Sequence, residues 1–358
     1  MEEQGKAQWA RILATSLIAL SLCALLLRFF GSGAQGASGK VEGTKPGATY
    51  SRVFSVFNTE CRVTLYDCPQ LAGDEFFREL ISEMGRLHST LNVFSADSEV
   101  SKVNASAGNE DVVCSPLLWD VLMASKSAWQ ESEGLFDVTV GPLLKLWGFH
   151  AKRSTWSTEQ EIAAAKAQIG FDKLKLDESR RSVRFGVDGM RLDFGGIAKG
   201  YALGVAIDIA KRHGLKSYLI DLGGNIYCTE RAGARKGFRI GVRSPDGGLC
   251  GTIAAADRCI ASSGNYERFR VIGGRKVGHL MNPLTGLPCS AESDWAGVTV
   301  VVGDPTLSDV YSTTVFVGGL ETARKLNASG SGRPAFVMVR NNGKIEIVGD
   351  VAFSDAVD

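Results

Sequence analysis

The segment Leu192–Ala202, LDFGGIAKGYA, places the strongest constraint on how this chain folds. A predicted strand ends near Asp193, two adjacent glycines follow, and a helical pattern begins with Lys199 in its first turn. Glycines permit tight turns or close backbone approach, and a helix N-terminus with a lysine favours an anion. The pattern lacks the spacing of a dinucleotide fingerprint, and Tyr201 stands where a Walker A loop requires lysine. The segment therefore predicts either a simple strand-to-helix turn or a turn that approaches a phosphate.

The overall composition is that of an ordinary globular protein. The chain has 358 residues, of which 44% are apolar and 22% charged, and a formal net charge of +1. This length is enough for one large or two modest domains, and the charge gives no indication of nucleic-acid binding. No cysteine pair has C-x-x-C spacing, which argues against a thiolate metal site and favours small buried apolar groups. The cysteines in question are Cys61, Cys68, Cys114, Cys228, Cys250, Cys259 and Cys289.

The N-terminal region is predicted to lie outside the globule. Ile12–Leu27 is an uncharged apolar run of 16 residues, and a Gly/Ser/Ala-rich segment follows it. A helix of that length reaches about 24 Å, slightly short of a bilayer core of about 30 Å. We interpret residues 1–30 as a signal or membrane anchor and residues 31–47 as a flexible linker. An anchor is favoured over lipidation at Cys23, because Leu22 is not small. The expected location is extracytoplasmic.

The rest of the chain alternates strand and helix patterns without a repeat or a second linker, which predicts one α+β catalytic domain of mixed sheets and helices over residues 48–352. RVTLYDC alternates as a strand, and Asp74 is a candidate cap for an amphipathic helix. Two overlapping capping boxes begin at Ser157 and Thr158. FDKLKLD and SVRFG predict a hairpin, and Ala198–His213 predicts a helix.

Three further segments carry residues suited to chemistry. GHLMNPLTGLP contains His279, which could transfer a proton near neutral pH or be a surface-loop histidine. SDVYSTTVFVGG places Asp309 and Thr313 four residues apart, on one face of a helix, where their oxygens could hold Mg²⁺. The alternative for that segment is a helix cap by Ser308 or Asp309. GLFDVTVGPLLKLWGF contains Asp137, and its alternative is core packing by Leu143, Leu146 and Trp147.

Together these segments resemble the ApbE-type flavin transferases, in order and spacing, over nearly the whole chain after the linker. The matching stretches are FSADSEVSKVN, FDVTVGPLLKLWGF, DFGGIAKGYA, DLGGN, HLMNPLTG and DVYSTTVFV. The resemblance implies an ApbE-like, T-fold-related domain that takes FAD as substrate and requires Mg²⁺. It also implies transfer of the FMN moiety to a threonine of an acceptor flavoprotein, with release of AMP. Members of the family are usually exported and anchored, which here implies the inner (cytoplasmic) membrane.

The resemblance also assigns roles to particular residues. The metal ligands fall on Asp309, Thr313 and the main-chain carbonyl of Gly196. Chemistry rather than the resemblance gives the base: the acceptor hydroxyl must lose a proton, so His279 is the candidate catalytic base, with Asp309 second. Flavin contacts fall on Phe57, Phe94, Leu135, Phe136, Asp137, Asp193, Lys199 and Met281.

Two departures from the family pattern leave alternatives open. Phe57-Asn58-Thr59 stands where many members have Met-Gly-Thr, and Phe94 stands where several carry a stacking tyrosine. A phenylalanine can still stack on a flavin, but it lacks the hydroxyl. Two other functions therefore remain: an FAD pyrophosphatase, in which water replaces threonine, and a non-catalytic FAD-binding protein.

Overall fold

The computed structural model describes residues 48–106, 110–265 and 268–356. The predicted membrane anchor and linker, residues 1–47, lie outside this part of the chain. Among the helices that are described, none is both long and apolar enough to span a bilayer.

The centre of the fold is an eight-stranded sheet in which every neighbouring pair is antiparallel. In their spatial order across the sheet, the strands are β1 (Thr49–Val56), β2 (Thr59–Tyr66), β6 (Tyr218–Leu222), β7 (Asn225–Cys228), β12 (Arg258–Gly264), β15 (Trp295–Val302), β16 (Ala335–Arg340) and β17 (Ile345–Val348).

Four smaller sheets, eight α-helices and one short 3₁₀ helix (Phe171–Lys173) complete the described part of the domain. The sheets comprise β3 (Val112–Val113), β5 (Ser182–Phe185) and β4 (Leu174–Asp177); β8 (Arg231–Ala232) and β9 (Arg235–Lys236); β10 (Phe238–Arg243), β11 (Leu249–Ala255) and β18 (Phe353–Asp355); and β13 (Phe269–Ile272) and β14 (Arg275–Gly278). The helices are α1 (Gln70–Leu91), α2 (Glu99–Ser106), α3 (Pro116–Glu131), α4 (Gly141–Leu146), α5 (Glu159–Ala167), α6 (Ala198–Arg212), α7 (Cys289–Glu292) and α8 (Pro305–Ser329), the last kinked at Gly319.

The large sheet is buried on both faces, which explains its apolar strands. One face carries residues such as Val63 and Val298, which pack with the apolar sides of α1, α6 and α8 in the main core. The other face carries residues such as Ile260 and Val337, which pack against β10 and β11 in a second core. A third cluster, around Trp147, joins α4 and α5 to the β13–β14 hairpin.

Most local predictions from the sequence are confirmed, but those for Asp74, for a capping box at Ser157 and for a strand ending near Asp193 are wrong. The Ser157 hydroxyl is buried without a hydrogen-bond partner among the described residues, because Thr158 is the N-cap. In place of the strand, Arg191 forms only an isolated bridge with Val140. The strand predicted from RVTLYDC, the hairpin and α6 are present, and Thr158 forms a capping box with Glu161 at the start of α5. Six of the seven described cysteines are buried. Asp74 is not a cap, because α1 begins one turn earlier with Pro69 at its N-cap. The Asp74 carboxylate instead accepts a hydrogen bond from Arg52 of β1 at 2.6 Å.

The antiparallel crossing of α6 and α8 brings two predicted site segments together. A side chain on Gly200 would place its Cβ 2.6 Å from the Pro305 carbonyl oxygen and 2.7 Å from the Asp309 Cβ. Only glycine permits this separation, because two of the three nearest atoms belong to the α8 backbone. The crossing lets the Gly200 amide donate to Asp309 Oδ2 at 3.0 Å.

We expect Gly200→Ala to destabilise the protein by about 1–3 kcal/mol, the usual effect of overpacking a well-packed interior. The added methyl group must push α6 and α8 apart, since α8 backbone atoms surround it. Urea unfolding of the full chain measures the change. Gly85→Ala is the matched control, because Gly85 also lies inside a helix but has no atom within 4 Å of the added Cβ. That variant should gain about 0.5–1 kcal/mol from helix propensity. Equal effects of the two substitutions would contradict the close-crossing account.

Candidate active site

Asp309 is the buried anion of the site. It lies in the second turn of α8, is 3% exposed, and receives the Lys199 ammonium at 2.9 Å on Oδ1 and the Gly200 amide on Oδ2. A buried carboxylate requires such partners, because burial of an unpaired charge is costly. The helix cap is Asp304, so the alternative of a cap by Ser308 or Asp309 is wrong. Asp309 and Lys199, predicted from separate motifs, are therefore direct partners.

Thr313 follows Asp309 by one helical turn and faces the glycine turn. A Cβ built on Gly196 would lie 3.4 Å from Thr313 Oγ1 and 3.0 Å from the Phe136 ring. Ser263, at the end of β12, places its hydroxyl 3.4 Å from Thr313 Oγ1 and 2.9 Å from the Ser312 hydroxyl. Neither glycine of the turn has a positive φ, so the turn itself does not require glycine. Because Gly196 has no side chain, Phe136 and Thr313 can pack close to its backbone.

The three predicted metal ligands form a suitable set of oxygen donors. Asp309, Thr313 and the Gly196 carbonyl supply a carboxylate, a hydroxyl and a main-chain oxygen, which are donors that Mg²⁺ prefers. No group of three or more His, Cys, Asp or Glu side chains suited to a metal occurs in residues 48–106, 110–265 and 268–356. A metal at this position would therefore keep several water ligands, as Mg²⁺ usually does. The residues present fit magnesium.

Asp193 is held in place from both sides. Its Oδ1 accepts the Gly195 amide at 2.8 Å, and its Oδ2 lies 2.8 Å from Nε2 of His150. The Gly195 amide is thus engaged with Asp193. His150 was missed in the sequence, although it directly follows the Gly134–Phe149 motif. Its partner stands 43 positions later, and no local pattern links the two.

The segment that leads to Asp193 makes one isolated bridge, between Arg191 and Val140, and is fixed by a buried asparagine. Asn104, at 5% exposure, accepts the Leu192 amide at 2.7 Å and donates to the Leu192 carbonyl at 2.9 Å. The Asp193 amide then donates to the Val138 carbonyl at 2.7 Å. The motifs that end at Asn104 and contain Val138 therefore support the glycine turn through hydrogen bonds.

The predicted flavin contacts occupy two kinds of environment. Phe94 is 62% exposed and its ring meets the His150 ring edge-on, whereas Phe136 and Met281 are buried. Phe57 lies in the β1–β2 turn, where its amide donates to Nδ1 of His88. Leu135 lies beside Gly318 of α8. Their contact with a flavin stays a prediction.

Asp137 has a structural task in this site. Its Oδ1 accepts the amide and hydroxyl of Thr139 at 2.7 and 2.6 Å, and its Oδ2 accepts the Phe171 amide at 3.1 Å. Burial raises the pKa of Asp137, and these hydrogen bonds oppose that rise. Leu143 and Trp147 of the same motif are fully buried, so the motif also packs the core, as the alternative proposed.

His279 directly follows β14, beside the other motifs. Its main-chain amide and its Nδ1 both donate to the Arg268 carbonyl at 3.2 Å, which leaves Nε2 as the basic nitrogen of the neutral ring. Burial and the Arg268 charge lower the pKa of His279 to about 4. Lys199 lowers this pKa further and Asp193 raises it, so both charges act on the imidazole.

We expect His150→Ala to weaken FAD binding about 3–10-fold, because a typical hydrogen bond contributes about 1 kcal/mol. Asp193 would lose one of its two supports while the chemical groups stay in place. The measurement is quenching of FAD fluorescence on titration with protein. His213→Ala is the control, since His213 makes a similar contact with Glu79 at 2.7 Å, on the surface between α1 and α6. An unchanged affinity in His150→Ala would contradict the role of His150.

Comparison with known proteins gives one consistent result. The sequence model of the ApbE family matches residues 57–337. An FAD:protein FMN transferase of Klebsiella pneumoniae is 31% identical, over 66% of this chain and 73% of its own length. An FAD:protein FMN transferase of Treponema pallidum is 28% identical, over 76% of this chain and 79% of its own length. The crystal structure of an ApbE protein from Thermotoga maritima superposes with a TM-score of 0.76 at 27% identity, covering 84% of this chain and 97% of that one.

Proposed function

Because the chain belongs to the ApbE family and is an FAD:protein FMN transferase, we propose that it uses Mg²⁺ to transfer FMN from FAD to a threonine hydroxyl, releasing AMP. The observation that carries this proposal is the meeting of Lys199, Asp309, Thr313 and Gly196 at the α6–α8 crossing. These groups supply a cation and several oxygen donors beside the glycine turn. The acceptor is a flavoprotein that carries the target threonine.

The proposed reaction is a phosphoryl transfer. The threonine oxygen forms a bond to the FMN phosphorus, the bond from that phosphorus to the bridging oxygen breaks, and AMP leaves with that oxygen. Such reactions depend on neutralising charge and holding the two oxygens in line. Lys199 is placed to neutralise charge, because its ammonium is fixed by Asp309 at the start of α6. Asp309, Thr313 and the Gly196 carbonyl would hold Mg²⁺, which would stabilise the negative charge of the phosphates.

His279 is the proposed general base. With a pKa of about 4 it is neutral at pH 7, and its Nδ1 hydrogen bond directs the basic Nε2 away from Arg268. A base must be unprotonated before it can accept the hydroxyl proton. Asp309 is a poorer candidate, because both of its oxygens already accept hydrogen bonds from Lys199 and Gly200.

One assay distinguishes the three candidate functions. The full chain is incubated with FAD, Mg²⁺ and an acceptor flavoprotein, and with the same acceptor in which the target threonine is alanine. Covalent flavin on the first acceptor alone, with AMP in solution, supports the proposal. FMN and AMP without labelled acceptor indicate a pyrophosphatase, and bound FAD without turnover indicates a binding protein.

We expect Asp309→Asn to lower Mg²⁺-dependent transfer by 10²–10³-fold, about the effect of removing one preorganised electrostatic group. Asparagine keeps an acceptor for the Gly200 amide but loses the charge that a metal needs. The rate is measured over a Mg²⁺ titration, with circular dichroism to check the fold. Asp304→Ala is the control, because Asp304 caps the same helix through the Leu307 amide at 2.8 Å. Normal activation of Asp309→Asn by Mg²⁺ would rule out the metal assignment.

We expect His279→Ala to reduce transfer by about 10²–10⁴-fold, the usual contribution of a general base. FAD binding should change little. Because protonation inactivates the base, and the pKa is lowered to about 4, kcat/KM for FAD in the wild type should hold to about pH 5 and fall as pH approaches 4. A pH profile of both proteins measures this. A large loss of FAD affinity in His279→Ala would instead make His279 a binding residue.

We also propose that the chain is anchored to the inner membrane with its catalytic domain on the extracytoplasmic side. The support is the apolar run Ile12–Leu27 followed by a polar linker. Cell fractionation and protease treatment of intact spheroplasts test this. Recovery of the full-length chain in the soluble cytoplasmic fraction would contradict it.

A further inference from the structure

The β13–β14 hairpin is a local concentration of positive charge. Arg270, Arg275 and Lys276 are exposed on it, and Phe269–Gly278 contains no carboxylate. We call the β13–β14 hairpin with these three side chains the basic hairpin. Since the whole chain has a net charge of only +1, this concentration is not a consequence of overall composition.

The cations of the basic hairpin rest on aromatic rings. Arg270 lies 5.8 Å from the centre of the Phe149 ring, Arg275 lies 5.1 Å from that of Trp156, and Lys276 lies 4.2 Å from that of Phe269. Within the described ranges none of the three forms an ion pair, whereas other arginines do, such as Arg153 with Glu161 at 2.8 Å. Ring contacts hold the side chains in place but leave their N–H groups available to an anion.

The basic hairpin adjoins the proposed general base. β14 continues directly into His279, whose ring nitrogen is hydrogen-bonded to the residue that precedes β13. Phe149 contacts both neighbours: its ring centre lies 6.4 Å from that of His279 and 5.8 Å from the Arg270 guanidinium. A molecule bound to the hairpin would therefore lie next to His279.

A groove continues from the hairpin. Trp156, whose ring lies under the Arg275 guanidinium, lines a cavity of about 820 Å³. The rest of the lining comes from one side of α5, with Glu159 at its start and Lys166 in its last turn, and from Thr285 and Leu287 of the loop after His279. Ser157 also lines it, is 5% exposed, and has a hydroxyl with no hydrogen-bond partner among the described residues. A buried hydroxyl of this kind normally has a partner. The Ser157 hydroxyl itself is almost inaccessible, so the groove offers an incoming chain its exposed lining rather than this hydroxyl.

We propose that the basic hairpin and this groove dock an acidic, threonine-bearing segment of the acceptor protein. The inference rests on the proposed function, which requires a polypeptide to present a hydroxyl near His279. Charge complementarity selects the partner: three cations that form no ion pair with any described residue fit Asp and Glu side chains on either side of the target threonine. Such contacts contribute mainly to specificity and association rate.

The test measures binding apart from catalysis. Two fluorescent peptides are compared, one with Asp and Glu around a central threonine and one with Asn and Gln at the same positions. Fluorescence anisotropy with the full chain should show about tenfold tighter binding of the acidic peptide at low salt, and most of this difference should vanish near 1 M salt, where the Debye length is about 3 Å.

The chain provides a matched pair of variants. Arg275→Glu/Lys276→Glu should abolish the preference for the acidic peptide. The control, Arg235→Glu/Lys236→Glu, changes the same residue types in another two-stranded hairpin, β8–β9. That hairpin lies beside Asp67, at the opposite end of β2 from the Phe57 turn. The control should leave the preference for the acidic peptide intact. If the first pair unfolds, Lys276→Gln alone should still reduce the preference, since Lys276 is exposed.

Three outcomes would overturn the docking proposal. They are equal or undetectable binding of both peptides, an acidic preference that survives Arg275→Glu/Lys276→Glu, and a loss of FAD affinity in that variant, which would assign the hairpin to the FAD site. The proposed function fails separately if no acceptor is flavinylated while the acidic preference still depends on the hairpin.

Discussion

The contact between Gly200 and Asp309 is the constraint on which the rest of the site depends. Asp309 is buried, so its carboxylate must be compensated, and the Lys199 ammonium and the Gly200 amide provide this. Both donors reach it only because residue 200 lacks a side chain where α6 crosses α8. The same crossing sets the glycine turn opposite Thr313. One missing methyl group thereby determines the relative position of a cation, an anion and a hydroxyl.

The surrounding polar contacts make this arrangement rigid. Asn104 holds both polar groups of the Leu192 backbone, and Asp193 holds the Gly195 amide while contacting His150. The polar side chains of Asn104 and Asp193 thus have partners, as a low-dielectric interior requires. These contacts join segments far apart in sequence. The turn is therefore preorganised by the fold before any anion binds, which reduces the reorganisation that charge stabilisation would require.

The features that could be predicted from the sequence are those that depend on residues close together along the chain. Asp309 and Thr313 share a helix face, Thr158 caps α5, and the alternating segments form strands, because periodicity and capping are local. Asp74 was misassigned because a carboxylate near a helix start normally caps it, whereas here it pairs with Arg52 from another element. His150 was missed for the same reason: its partner Asp193 is brought near only by tertiary structure. Contacts between distant segments could not be predicted, because hydrophobic periodicity reports only on residues that are near each other along the chain.

The charges around His279 connect the two substrates of the proposed reaction. Burial, Arg268 and Lys199 together keep the imidazole neutral, which makes it available as a base but a weak one. Anions act in the opposite sense, because a nearby negative charge favours the protonated form and raises the pKa of histidine. A pyrophosphate beside Lys199 would strengthen the base in this way. An acidic segment on the basic hairpin would act in the same direction, so each substrate would increase the basicity of His279 as it arrives.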